Sequence, residues 1–188
     1  MSEPTVVFVA GIGNSDPDHW QRHWHARLPG SVWVEHRSWD DPVRGEWVRD
    51  LEETVHGIDG PAFLVAHSLG CTLVLQWAAE HVGDGVVGAL LVAPPDVDGP
   101  IFPVRAVGFD RWAPARLPFS AVVVVADDDP YGSPEHAAEV AEAVGGELVN
   151  VGPRGHINAS SGLGDWSEGW AVLDELRSAP RLRSHSPR

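Results

Sequence analysis

Lysine is missing from this chain: all 13 of its basic residues are arginine. Without an amine side chain there is no Schiff-base catalysis, no phosphate-loop lysine and no Ser–Lys hydrolysis. Cysteine is nearly absent too. The lone Cys71 excludes an internal disulfide framework and fits a reducing cytoplasm, where the chain is expected to work. No apolar run approaches the ~18 residues of a membrane helix, and the N-terminus lacks the basic stretch and apolar core of a secretion signal. Positive charge is scarce as well: 13 basic residues against 27 acidic ones leave a formal net charge of −14. That balance argues against nucleic acid and against an anionic membrane as partners.

What remains is enough for one core. The chain has 188 residues, 43% of them hydrophobic. Short, β-branched apolar runs at 5–10, 32–35, 62–66, 86–93, 121–126 and 147–151 alternate with helix-like stretches at 18–28, 43–58, 69–81, 134–144 and 166–177. Several of the apolar runs are continuous rather than alternating, as in strands buried on both faces of a parallel sheet. The expected fold is therefore α/β, with about six mostly parallel strands and helices on both faces. Residues 94–118 interrupt the alternation with six prolines and two glycines, and read as a long irregular connection with one helical turn near Val104. Residues 1–177 are expected to form one domain, and 178–188, polar and basic, a disordered tail.

The chemistry is concentrated in three places. Directly after the third apolar run comes Ala66-His67-Ser68-Leu69-Gly70, followed by an apolar helical stretch. A strand, a sharp turn and a helix with small residues two positions either side of a serine is how hydrolases present a nucleophile. A serine that merely caps the helix is the competing reading. Ser68 needs a hydrogen-bonded base to attack at neutral pH. In this kind of fold the acid and then the histidine follow the serine, each at the end of a later strand. The fifth run ends in Asp127-Asp128-Asp129-Pro130 and the sixth strand is followed by Arg154-Gly155-His156. Order and position both match. The triplet leaves the acid open, although Asp129 precedes a proline that holds its backbone extended; Asp127 and Asp128 are read as solvated or bonding local amides.

These residues make the sequence resemble the small α/β-hydrolase family that includes YdeN and retinoblastoma-binding protein nine. The resemblance also draws on Gly11-Ile12-Gly13-Asn14-Ser15, on His19-Trp20-Gln21 with Trp24, on Asp129-Pro130-Tyr131 and on Gly155-His156-Ile157-Asn158-Ala159. It runs over most of the chain and implies a minimal, lidless hydrolase with a Ser68, Asp129 and His156 triad. It assigns the acid to Asp129 and puts His19 and Trp20 near the rim of the site. Ala66, where hydrolases usually carry glycine, is the main departure.

The expected activity is that of a serine hydrolase cleaving small esters, or amides or thioesters, through an acyl-serine, with a small-molecule acyl substrate and no cofactor. The oxyanion donors are expected to be the Leu69 and Ile12 amides. His19, Trp20, Trp112 and Asn158 are candidate pocket residues. His19, His23 and His25 form a denser cluster, but no carboxylate interleaves as in HExxH, so no metal is expected. Two other readings compete: a catalytically silent interaction module on the same fold, and a metal enzyme built on the histidine cluster. A complete Ser–acid–His set in the right order favours the hydrolase. Oligomeric state and acyl preference have no signature in the chain.

Overall fold

The computed structural model describes residues 3–81, 85–110 and 115–178. Its centre is a sheet in the order β2-β1-β3-β4-β5-β6. The strands are β1 (Thr5–Val9), β2 (Val32–Trp33), β3 (Ala62–His67), β4 (Val86–Val92), β5 (Ser120–Val125) and β6 (Glu147–Asn150), and every pairing is parallel. All residues of β3 are buried, because each side of the sheet has its own apolar layer. Val7, Val9, Leu64 and Ala66 face one cluster; Val6, Phe8, Phe63 and Val65 face the other.

Helices α2 (Arg44–His56), α3 (Leu69–Glu80) and α4 (Pro134–Val144) cover the first face, through Trp47, Leu51, Leu73, Trp77 and Val140. Helices α1 (Trp20–Arg27) and α5 (Ser167–Ser178) cover the second, through Trp20, Trp24 and Leu173. Local sequence sets the ends of α4: the Ser133 hydroxyl accepts from the His136 amide, Pro134 opens the first turn, and Gly145 closes it in the left-handed region at φ 69°. Helix α3 is buried continuously from Leu69 to Trp77, as a helix wedged between sheet and α2 must be. No described helix is long and apolar enough to cross a membrane.

Three expectations change. The helical turn near Val104 does not form; the Ala106 amide closes a turn on the Pro103 carbonyl, and Val107 makes an isolated bridge to Val43. Six prolines in that connection deny it the amides a helix needs. The last helix starts one residue late, because Trp166 adopts φ 37° and lays its ring in the core. The second strand is only two residues long at the sheet edge.

The order of the strands reverses between β1 and β3, and the crevice beyond their carboxyl ends is where open α/β sheets take ligands. At this point the backbones nearly touch. A Cβ on Gly70 would lie 2.3 Å from the Val9 carbonyl oxygen, so only glycine lets α3 start here. Gly70→Ala should cost about 1–3 kcal/mol in chemical denaturation, the usual range for an added methyl that the core cannot absorb. An unchanged midpoint would contradict this packing.

Candidate active site

Ser68 joins β3 to α3 at φ 55° and ψ −128°, a backbone region that a non-glycine residue occupies only under strain. Its amide continues the sheet ladder to the Val92 carbonyl, and its own carbonyl takes the Cys71 amide in the first turn of α3. The hydroxyl makes no bond to the helix amides, so Ser68 is not a capping serine. Gly11 makes room for it from β1: a Cβ there would stand 2.9 Å from the Ser68 Cβ.

The Ser68 Oγ lies 2.7 Å from His156 Nε2, and both carboxylate oxygens of Asp129 lie 2.9 Å from His156 Nδ1. The Asp129 side chain is 1% exposed and that of His156 10%. Asp129 also accepts the Tyr131 amide at 2.9 Å, which pins its carboxylate across Pro130. The other two aspartates have different tasks. Asp127 accepts from the Asn150 side chain at 2.8 Å. Asp128 accepts the Gly155 amide at 2.7 Å, a bond across 27 residues to the histidine loop rather than the local one expected.

That loop is left-handed on both sides of the imidazole: Gly155, which adopts it freely, has φ 58°, and Ile157 φ 47°. For a β-branched residue the second value is a true outlier. It is held by burial of the Ile157 side chain, by the Trp20 indole donating to the Ile157 carbonyl at 2.8 Å, and by the Ser161 hydroxyl donating to the Arg154 carbonyl at 2.6 Å. Trp20 is thus not a pocket wall. Its ring is 1% exposed, because α1 presents that face to the sheet, and it supports the loop from beneath.

A cavity of about 450 Å³ opens above Ser68 and His156 and includes Ile12, Leu69, His19 and Asn158 in its lining. The Leu69 and Ile12 amides face no acceptor among the described residues, which suits them to an oxyanion. The Asn158 side chain is half committed, accepting the Ser160 amide at 3.0 Å to cap the turn Ala159–Ser161. Trp112 lies outside the described residues. Tyr131, Phe102 and Arg105 also line the cavity and were not picked out as pocket residues from the sequence. The Tyr131 ring lies 4.5 Å from that of His156, and in the sequence it carries no pocket signal beyond its place in Asp129-Pro130-Tyr131; the other two come from an irregular connection with no periodic signal.

The histidine cluster disperses. His19 turns to the cavity and accepts the Gln21 amide on Nδ1, His23 pairs with Asp165 at 2.9 Å, and His25 with the Ser31 hydroxyl at 2.7 Å. Among the described residues no group of three or more His, Cys, Asp or Glu side chains is placed to hold a metal ion. Cys71 is fully buried with its thiol on the Val92 carbonyl at 3.2 Å, and burial raises its pKa, so it is a poor nucleophile beside Ser68.

Burial pushes the His19 pKa down to about 3, with the neighbouring His156, Arg22 and His23 acting in the same direction. His36 and His67 are also lowered, above all by burial. A histidine depressed in the folded state takes its proton first when unfolded. Its stabilising contribution is therefore complete above the ordinary histidine pKa and is lost as the pH falls below it. For His19 the loss steepens below the ordinary histidine pKa towards about 1.4 kcal/mol per pH unit; His36 and His67 act in the same direction. Stability from chemical denaturation should drop between about pH 7 and about pH 5, and a flat profile would contradict the buried, neutral state of these rings.

An all-parallel sheet of this order with a strained serine after β3 defines an α/β hydrolase. Comparison with known families narrows the class: the chain belongs to the Serine hydrolase family, which it matches over residues 6–175. Among solved structures it is similar to a protein of Pectobacterium atrosepticum described as a YdeN-like hydrolase, with 31% identity and a TM-score of 0.84 over 93% of this chain and 91% of that one. The ydeN gene product of Bacillus subtilis shares the fold at 21% identity and a TM-score of 0.78, over 94% of this chain and 100% of that one. The type II thioesterase BorB of the borrelidin biosynthetic cluster shares it at 16% and 0.68, over 94% and 93%. No curated protein sequence matches the chain significantly.

Proposed function

We propose that this hydrolase cleaves small esters, or the corresponding thioesters or amides, through an acyl-serine formed on Ser68. The observation that carries the reading is the unbroken line of contacts from Ser68 Oγ to His156 at 2.7 Å and from His156 to Asp129 at 2.9 Å. His156 takes the serine proton as Oγ attacks the carbonyl carbon, then gives it to the leaving group. Asp129 holds the imidazole with its Nδ1–H towards the carboxylate and stabilises the charged ring. Water then attacks the acyl-serine with the same base. The tetrahedral oxyanion would sit between the Leu69 and Ile12 amides, where α3 also directs its positive end.

Cavity size and lining favour a modest substrate. About 450 Å³ bounded by Ile12, Phe102 and Tyr131 accepts a short acyl or alcohol portion, each buried methylene adding about 0.8 kcal/mol. A cytoplasmic location belongs to the same reading, since Cys71 is a free, buried thiol.

Hydrolysis of a short p-nitrophenyl ester tests the assignment residue by residue. Ser68→Ala should abolish turnover with circular dichroism unchanged. Asp129→Asn should lower kcat by about 10⁴-fold, as loss of the tautomer-setting carboxylate does elsewhere. Asp128→Asn, which touches only the Gly155 amide, should lose far less. Wild-type turnover in Ser68→Ala, or equal losses at Asp128 and Asp129, would overturn the reading.

A further inference from the structure

His67 is the last residue of β3 and directly precedes Ser68, yet the mechanism above gives it no task. Its side chain follows Phe63 and Val65 onto the α1 face of the sheet, under the loop that carries His156. There its Nε2 stands 2.9 Å from the His156 carbonyl oxygen. A carbonyl can only accept, so His67 Nε2 carries the proton and donates it. The two rings lie 5.0 Å apart, and the His19 ring packs edge-on against His67 at 4.7 Å. His19 is fixed in turn by the Gln21 amide on its Nδ1. Of these three imidazoles, only that of His156 contacts both Ser68 and Asp129.

We propose that His67 is the positioning residue for the catalytic base: its Nε2–H, anchored on the His156 carbonyl, holds the backbone beside the strained Ile157 so that the imidazole stays between Asp129 and Ser68. The inference rests on the reading of His156 as general base. The case for an anchor comes from what it restrains. Backbone at φ 47° in Ile157 relaxes unless its surroundings over-determine it. The peptide groups there are held from separate elements: Asp128 on the Gly155 amide, His67 on the His156 carbonyl and Trp20 on the Ile157 carbonyl. Of these, the His67 bond is made to the residue whose side chain does the chemistry. It also links the base to the nucleophile's own strand, so that one rigid element sets both partners of the proton transfer.

Neutrality is part of the device. Burial first, then the nearness of His19 and His156, keeps the His67 pKa well below the ordinary histidine value. His67 therefore adds a directed N–H without adding a charge that would oppose the imidazolium formed on His156 during attack.

Methionine and glutamine have nearly the same shape, but only glutamine has an N–H to offer, so the pair isolates the donor. His67→Met should lower kcat by about 10- to 100-fold, the scale of a sub-ångström to ångström misplacement of a reacting group. KM should stay near wild type, and His67→Gln should regain most of the loss. His67→Phe, which keeps a ring without the donor, serves as the second donor-free variant should the methionine variant fold poorly. His67 also borders the cavity, so a direct substrate contact is the rival role. That role would raise KM at constant kcat and would overturn the proposal, as would equal kcat in the methionine and glutamine variants. Ser68→Ala run in the same assay separates the two levels: if it is inactive while His67→Met is unimpaired, only the positioning role fails. If Ser68→Ala itself turns over, the reading of His156 as base fails with it.

Discussion

The close approach of β1 to the start of α3 is the constraint on which the rest depends. Ser68 reaches the crevice because its backbone accepts φ 55°, and it can do so only because Gly11 and Gly70 leave no side chain in the way. With that contact made, Leu69 at the start of α3 and Ile12 after Gly11 both border the cavity beside the serine. The strain is not stored at Ser68 alone. Ile157, on the opposite wall, is held at φ 47° by its own buried side chain and by side-chain donors from β3 and α1. Two strained turns therefore face each other across the crevice, each fixed by the packed sheet beneath.

The aromatic and histidine content of the chain takes on meaning in this light. Of the nine tryptophans in 188 residues, Trp20, Trp24 and Trp166 pack ring to ring at 4.5–5.7 Å in the apolar layer that α1 and α5 share with the sheet. Trp20 ends that stack with a hydrogen bond to the histidine loop. The apolar layer and the site geometry are thus one mechanical unit. His67 and His19 extend it to the edge of the cavity as buried polar rings whose pKa values burial lowers.

Much of this was legible in the chain. Continuous apolar runs pointed to a parallel sheet, and a serine, an acidic triplet and a histidine, each after a later strand, pointed to the groups that meet. The aspartate triplet left the acid open, with only Pro130 favouring an extended Asp129, and the family resemblance pointed to Asp129; the structure has Asp129 rather than its neighbours against the imidazole. The missed features are those with no period or spacing. Asp128 reads as solvated or bonding a local amide, yet its bond spans 27 residues to Gly155. Trp20 was placed at the rim, whereas its burial depends on which face α1 turns to the sheet. The contribution of His67 is invisible locally, since its partner is a backbone carbonyl 89 residues away. Phe102 and Arg105 reach the cavity from a proline-rich connection whose path no local rule sets.

The central claim is that Ser68 is made nucleophilic by His156. Labelling with a fluorophosphonate, followed by peptide mapping, tests it most directly, because phosphonylation needs an activated serine and no knowledge of the natural substrate. One adduct per chain on Ser68, lost when His156 is replaced by alanine, is the expected result. An unlabelled native protein, or an adduct on Ser68 that forms equally fast without His156, would contradict it.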